Sequence, residues 1–298
     1  RSIQKRSFRP TVSMINHRLN SVITNLNSEL RYYLRINGNR IVEVDLKGSQ
    51  PYVLGSILTD SFFTTGVTND FSFTSIYPQL YNQLNCIGIK STTDITSLIG
   101  NSLYNNKEGF PMYFMSGGLD YCHEIQSYRN LPFNEGFYSH LNNICLNGDY
   151  ELQKVKNDVM LLLNLKDLKK RKNIHLIEQF KNHFPNINLF IESLNNFKSF
   201  KAAVAILLQR SESYLFLRVG CKAVNERLPD VPFLTIHDSI LIEEQYSEVV
   251  TPILMQSLNT ITGIEPGVSV KEIQDPMDTL EADIEEIWGD LLINKTNK

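Results

Sequence analysis

The chain has 298 residues, of which 42% are hydrophobic, 20% charged and 10% aromatic. That mixture excludes a wholly disordered chain and a collagen-like one, and the length suffices to bury a substantial core. Lys and Arg number 29 against 32 Asp and Glu, a formal charge of −3, so no polyanion-binding footprint exists at whole-chain level.

No apolar run approaches the roughly 20 residues of a membrane helix; the longest, near 202–208 and 159–163, have core-helix length. Cys86, Cys122, Cys145 and Cys221 stand far apart, without CxxC or paired His spacing, which points to free thiols in a reducing compartment. No signal-peptide pattern is found, and the start at Arg1 leads to the expectation of a longer parent chain. Basic residues cluster in Arg1–Arg40 and in Lys166–Lys172, while Asp275–Asp290 is acidic. Such blocks suit a polyanion binder or simply solvated faces.

In chain order, residues 16–36 place Leu19, Ile23, Leu26, Leu30, Tyr33 and Leu34 on a helical stripe. Asn37-Gly38-Asn39 predicts a turn, and Ile41, Val42 and Val44 a strand ending at Asp45. Lys47-Gly48-Ser49 breaks that strand, and a helix is predicted beyond Pro51. Residues 59–150, rich in Ser, Thr, Asn, Tyr and Phe, are expected to form an irregular, mostly helical insertion, with helices near 76–84 and 137–146. Residues 149–198 predict further helices interrupted at Pro185, and 200–228 one long amphipathic helix. VPFLTIHDSILIEE then reads as strand, tight turn at His237-Asp238-Ser239, and strand. A helix over 246–262, capped by Gly263, a strand over 268–273 and an acidic helical tail complete the pattern.

Asp45 ends one predicted strand and Asp238 sits at a hairpin tip. If the strands are neighbours, two carboxylates converge at one end of an antiparallel sheet. Such groups repel unless a cation lies between them, and hard oxygen ligands with few other partners favour Mg²⁺, which keeps its waters and takes substrate phosphates. The competing structural reading has Asp238 in an Asx-turn and Asp45 capping the next helix.

IVEVDLKGSQPYVLGSIL (41–58) resembles motif A of the family-A DNA polymerases, and PFLTIHDSILIEE (232–244) resembles their motif C. His-Asp-Ser is the form found in the phage-type single-subunit RNA polymerases; family-A DNA polymerases usually carry His-Asp-Glu. HRLNSVITNLNSELRYYL (17–34), FKNHFPNINLFIESL (180–194), LLQRSES (207–213) and the GIEP loop with VSVKE resemble flanking segments in the same order. The resemblance covers about 17–58 and 150–273; no thumb or exonuclease segment is recognised, implying a compact core or part of a larger protein.

The resemblance implies an α+β fold, a right-hand palm of antiparallel sheet and flanking helices with a mostly helical fingers insertion. Its parts would be a lead-in helix and motif A (1–58), insertion and fingers (59–199), palm with the motif C hairpin (200–275) and an acidic C-terminal helix (276–298). Function would be template-directed nucleotidyl transfer with two Mg²⁺ ions, or Mn²⁺ in their place. Partners would be a nucleic-acid template and primer and nucleoside triphosphates, with no membrane. The location would be cytoplasmic, in the host cell if the source is viral or a mobile element.

By matched position, Asp45 and Asp238 would be metal carboxylates and the Leu46 carbonyl a further metal ligand. Lys156 would bind nucleotide, with Lys169, Lys170 and Arg171 as rivals, although Asn164 and Leu165 replace the family's Tyr-Gly. Lys47 and Gln50 would also face nucleotide; Gln50 stands where DNA-selective members carry Glu, leaving sugar choice open. Arg18, Arg31, Arg35, Gln209 and His237 would contact nucleic acid, with Arg31 and Arg35 one turn apart on the lead-in helix. Three rivals stay open: an RNA-polymerase or primase-like activity, a non-catalytic nucleic-acid-binding palm, and a metal-dependent nuclease drawing a third ligand from Glu43 or Glu243.

Overall fold

The computed structural model describes residues 10–63, 70–86, 119–164, 174–195 and 202–273. Lys169, Lys170, Arg171 and the acidic tail lie outside the described residues. The first elements are a short antiparallel ribbon, β1 (Thr11–Val12) and β2 (Leu19–Asn20).

The stripe over 16–36 does not become one helix. The Ser21 hydroxyl accepts from the Ile23 and Thr24 amides at 3.1 and 3.2 Å, Thr24 Oγ1 accepts from the Ser21 amide at 2.7 Å, and Asn25 Nδ2 donates to the Ser21 carbonyl at 3.0 Å. Side chains here satisfy the backbone groups that a helical ladder would otherwise pair. What remains helical is α1 (Ser28–Arg31), capped by Asn27. Arg31 ends that helix and Arg35 lies beyond it, so the two arginines do not share a helical face.

Asn37 and Gly38, at φ 51° and 85°, form a two-residue loop whose ends, Ile36 and Asn39, bridge. Both positions require left-handed backbone, which Asn and Gly adopt most readily. β3 (Ile41–Lys47) follows and runs past Asp45. Gly48, at φ 54°, then turns the chain into α2 (Ser49–Ile57).

Helices carry the chain onward: α3 (Asp60–Phe63), α4 (Phe73–Ile76), α5 (Pro78–Cys86), α6 (His123–Arg129), α7 (Phe137–Leu146), α8 (Leu152–Asn164), α9 (His175–His183) and α10 (Pro185–Asn195). The single helix expected over 200–228 is instead α11 (Ala203–Ser213), a π-helical stretch Tyr214–Cys221, and α12 (Lys222–Arg227). β4 (Phe233–Ile236) and β5 (Ser239–Glu243) form the hairpin, and α13 (Ser247–Thr262) ends at Gly263 with φ 68°. β6 (Gly267–Glu272) closes the sheet. A Cβ at Gly220 in the π stretch would overlap Leu254 of α13, so the glycine permits that close packing.

The four-stranded sheet has the order β4-β5-β3-β6, with every neighbouring pair antiparallel. Alternation along β3 divides its two faces. Val42, Val44 and Leu46 point into the large helical core with Ile240 and Ile242. Ile41, Glu43, Asp45 and Lys47 take the other face, where Ile41, Leu241 and Ile236 pack with Ile23 and Ile36 in a smaller cluster. Cys122, Cys145 and Cys221 are buried and free. No helix among the described residues is long and apolar enough to cross a membrane.

How far the core reaches beneath the sheet has a direct test. Ile240 is fully buried at 0% exposure, whereas Val270, at 48%, sits on the edge strand β6. Ile240→Ala is expected to cost about 2–5 kcal/mol, and Val270→Ala under about 1 kcal/mol, in urea unfolding with an unchanged m-value. Equal costs would mean that the core extends undiminished beneath the edge strand.

Candidate active site

Asp45 pairs across the sheet with Ser239, and the Leu46 amide donates to the Asp238 carbonyl at 3.2 Å. The register therefore brings Asp45 and Asp238, distant in sequence, to adjacent backbone positions. Asp238 occupies the second place of a two-residue loop closed by the pair Ile236–Ser239. His237, in the first place, has φ 51°, a conformation that costs a non-glycine residue roughly 1–2 kcal/mol. A strained residue at the tip of a tight hairpin is the kind of feature that marks functional sites.

Charges surround this pair. Burial raises the Asp45 pKa, the Lys271 ammonium opposes the rise, and the charges of Asp238 and Glu43 add to it. Lys271 bonds Asp45 Oδ2. Burial pulls Lys271 down, but Asp45, Glu43 and Asp238 together hold its ammonium above the ordinary lysine range. The Ser239 hydroxyl donates to Glu43 Oε1 at 2.6 Å and lies 3.0 Å from the Ile236 carbonyl. Partial desolvation lowers the His237 pKa, and the cationic Arg18 and Arg31 lower it further, against Asp238.

A third carboxylate stands behind the pair. Glu212 of α11 is buried, accepts from the Ser49 hydroxyl at 2.8 Å, and is paired with Arg18. Burial raises its pKa, the Asp238 charge raises it further, and Arg18 and Ser49 work in the opposite direction. From the insertion, Tyr138 of α7 leans over the turn after Asp45. A methyl group at Gly48 would lie 3.7 Å from its hydroxyl. Burial and the Asp238 charge push the Tyr138 phenol up to about 12.

The other sequence-predicted residues divide. Gln50 is buried, and its Oε1 accepts from Asn164 Nδ2 at 2.9 Å, tying α2 to the end of α8. Lys156 is exposed on α8, two helical turns before Asn164, and makes no ion pair among the described residues. Lys47 is exposed on the Asp45 face of β3. Gln209 accepts from Asn16 at 3.2 Å and so holds the N-terminal ribbon. Arg35 donates to the carbonyls of Tyr32 and Leu34 and lines a groove with Arg40 and Glu272 at the opposite end of β3.

Glu243, a candidate third ligand, is buried and saturated by Asn37, Asn39 and Gln245 at 3.0, 2.6 and 3.0 Å. Its place is structural. Among the described residues no three His, Cys, Asp or Glu side chains are grouped to hold a metal ion by themselves. A carboxylate pair at the end of a sheet suits instead a divalent ion that retains waters and substrate oxygens as ligands.

Sequence reasoning missed Lys271, Tyr138 and Glu212. Lys271 had a signal: Val268-Ser269-Val270-Lys271 alternates, and its polar members share the face of Asp45. Tyr138 had none, because nothing in the insertion's composition indicates which ring returns to the sheet.

No family model and no curated protein matches the chain. Among solved structures, it is similar to the POL domain of Pol1 from M. smegmatis in complex with DNA primer-template and dNTP. That match has 11% identity and a TM-score of 0.39, over 89% of this chain and 47% of that one. The chain thus spans about half the length of that structure. What is established is a mixed fold of helices and antiparallel sheet, and the functional reading rests on the residues of the site.

Glu212 gives the site a pH signature. Because its folded pKa lies above the unfolded value, the native state binds its proton more tightly, and ionisation as pH rises removes stability. Glu212→Gln, which cannot ionise, is expected to gain stability relative to wild type as pH rises from about 4 to 7. Denaturant midpoints across that range check it; a relative loss would mean that Arg18 and Ser49 outweigh burial.

Proposed function

We propose that this chain catalyses template-directed nucleotidyl transfer from nucleoside triphosphates, with Asp45 and Asp238 as the carboxylates that hold divalent metal. The observation that carries the reading is their convergence at one end of an antiparallel sheet, with a lone ammonium against Asp45. In the reaction a primer 3′-hydroxyl oxygen bonds to the α-phosphorus, the α–β phosphoanhydride bond breaks, and pyrophosphate leaves while the hydroxyl proton passes to solvent. Divalent ions, Mg²⁺ or Mn²⁺, supply Lewis-acid stabilisation of charge on the attacking and leaving oxygens when bound.

The chain's own groups have distinct parts. Asp45, Asp238 and the Leu46 carbonyl provide hard oxygen donors. Gln50, fixed by Asn164, and Tyr138, over Gly48, offer neutral polar groups beside the turn for the sugar or phosphates of the nucleotide. Lys47 and Lys156, both exposed, offer cations to the triphosphate, whose charge needs donors on several sides. Arg18 and Arg31, whose charges both reach His237, give the hairpin tip a positive field suited to a nucleic-acid backbone. With Ser239 following Asp238, an RNA-polymerase or primase-like specificity is the first alternative within this class.

The test is incubation with Mg²⁺, a primed template and either dNTPs or rNTPs. Extension supports the proposal, shortening indicates a nuclease, and no change indicates a non-catalytic module. Asp45→Asn and Asp238→Asn are each expected to lower incorporation on the order of 10²–10³-fold or more, with the double variant little worse than either. The metal-free melting temperature of Asp238→Asn is expected to be unchanged or higher, because one of two neighbouring negative charges is gone. Destabilised variants that still incorporate nucleotide would show both aspartates to be structural.

A further inference from the structure

The contact between Lys271 and Asp45 is not explained by the fold. β6 is an edge strand, and its register sets Lys271 directly opposite Glu43, yet the ammonium reaches past Glu43 to Asp45 Oδ2. The Lys271 side chain is 55% exposed and that of Asp45 21%. The lysine therefore has open solvent to swing into, whereas the carboxylate is fixed on the central strand. Glu43, Asp45 and Asp238 all act on this ammonium, and Ser239 and Ser269, on the same face, are neutral. At the contact itself one ammonium thus serves three carboxylates, and a divalent ion in its place would leave less negative charge uncompensated.

We infer that Lys271 is a resident counter-ion, so that divalent metal enters this site by cation exchange: the ammonium holds Asp45 in the metal-free protein and must leave Oδ2 before an ion can bind there. The inference rests on the proposed role of Asp45 and Asp238 as metal carboxylates and deepens it. Two consequences follow from charge alone. The metal-free sheet end is stabilised by the lysine, because its removal leaves neighbouring carboxylates without a counter-ion. Metal affinity is lowered by the same lysine, because every binding event first breaks an ion pair. Monovalent ions gain nothing by the exchange, since they replace one unit charge with another.

Direct binding of Mn²⁺, followed by the electron paramagnetic resonance of the free ion without nucleic acid or nucleotide, separates the possibilities. Lys271→Met, which keeps the stem and loses the charge, is expected to bind Mn²⁺ about two- to fivefold more tightly than wild type, the factor an ion pair of this exposure contributes. Its metal-free melting temperature should be lower and its rise on adding Mn²⁺ larger. Lys271→Arg, which keeps the charge, should bind no more tightly than wild type. In an Asp45→Asn background, Lys271→Met should confer a smaller gain, because the pair it relieves is absent. Unchanged or weaker Mn²⁺ binding by Lys271→Met, or an equal gain by Lys271→Arg, overturns the exchange while leaving the metal site standing. Binding undiminished by Asp45→Asn, or absent from wild type and Lys271→Met alike, overturns the metal reading itself, and the exchange with it.

Discussion

Because side chains alternate along a strand, the pairing of Asp45 with Ser239 decides at once which residues of β3 belong to the core and which are free for chemistry. A slip of one residue would send Asp45 and Glu43 into the cluster of Val42, Val44 and Ile240, and Val44 out to solvent. No apolar packing could offset the burial of two carboxylates among aliphatic side chains, so the hydrophobic pattern locks the register. That lock places Asp238, one step into the turn, beside Asp45. The two-residue loop admits no slack, and the left-handed His237 is the local cost of closing it.

A second anchor comes from α11, which fixes the N-terminal ribbon through a row of polar side chains. Buried Arg210 donates to the carbonyls of Ile15 and Met14 at 2.6 and 3.1 Å and to Gln79 at 2.8 Å, with its guanidinium 4.4 Å from the centre of the Tyr77 ring. Gln209 and Glu212 hold Asn16 and Arg18 from the same helix. Charged groups at such depth persist because their donors are filled; an unfilled buried guanidinium would be strongly unfavourable. The arrangement carries Arg18 to the hairpin tip, although no regular element of more than two residues supports it from its own side. Position is thus imposed on a polar segment by a helix far along the chain.

The sequence was most legible where local chemistry and tertiary packing agree. Asn37-Gly38, the HDS turn between two apolar strands, Gly263 after α13 and the break at Pro185 each follow from the backbone demands of one or two residues. It misled over 16–36, where the periodic apolar residues are real but Ser21, Thr24 and Asn25 satisfy the backbone themselves. The π stretch was illegible for a different reason: its sequence is helical, and packing of Gly220 on α13 is a tertiary event. At the site, the two aspartates were readable from strand and turn patterns. Tyr138 and Glu212 were not, because each reaches the site from an element whose docking no local pattern encodes.

The acidic residues around the hairpin are sorted by the kind of partner each receives. Glu243 is enclosed by three side-chain amides, Glu43 receives a hydroxyl, and Glu212 has a hydroxyl and a guanidinium. Those donors are held by the fold, so these carboxylates are coordinated before any ligand arrives, and an entering ion would have to displace built-in hydrogen bonds. Asp45 has only a half-exposed lysine, and among the described residues no hydrogen bond reaches the Asp238 carboxylate, whose residue is bonded through its backbone carbonyl. Lone pairs left to a mobile cation or to solvent are the ones a hard divalent ion can take at least cost. The two aspartates are therefore set apart from their acidic neighbours by what the fold leaves undone around them rather than by their charge.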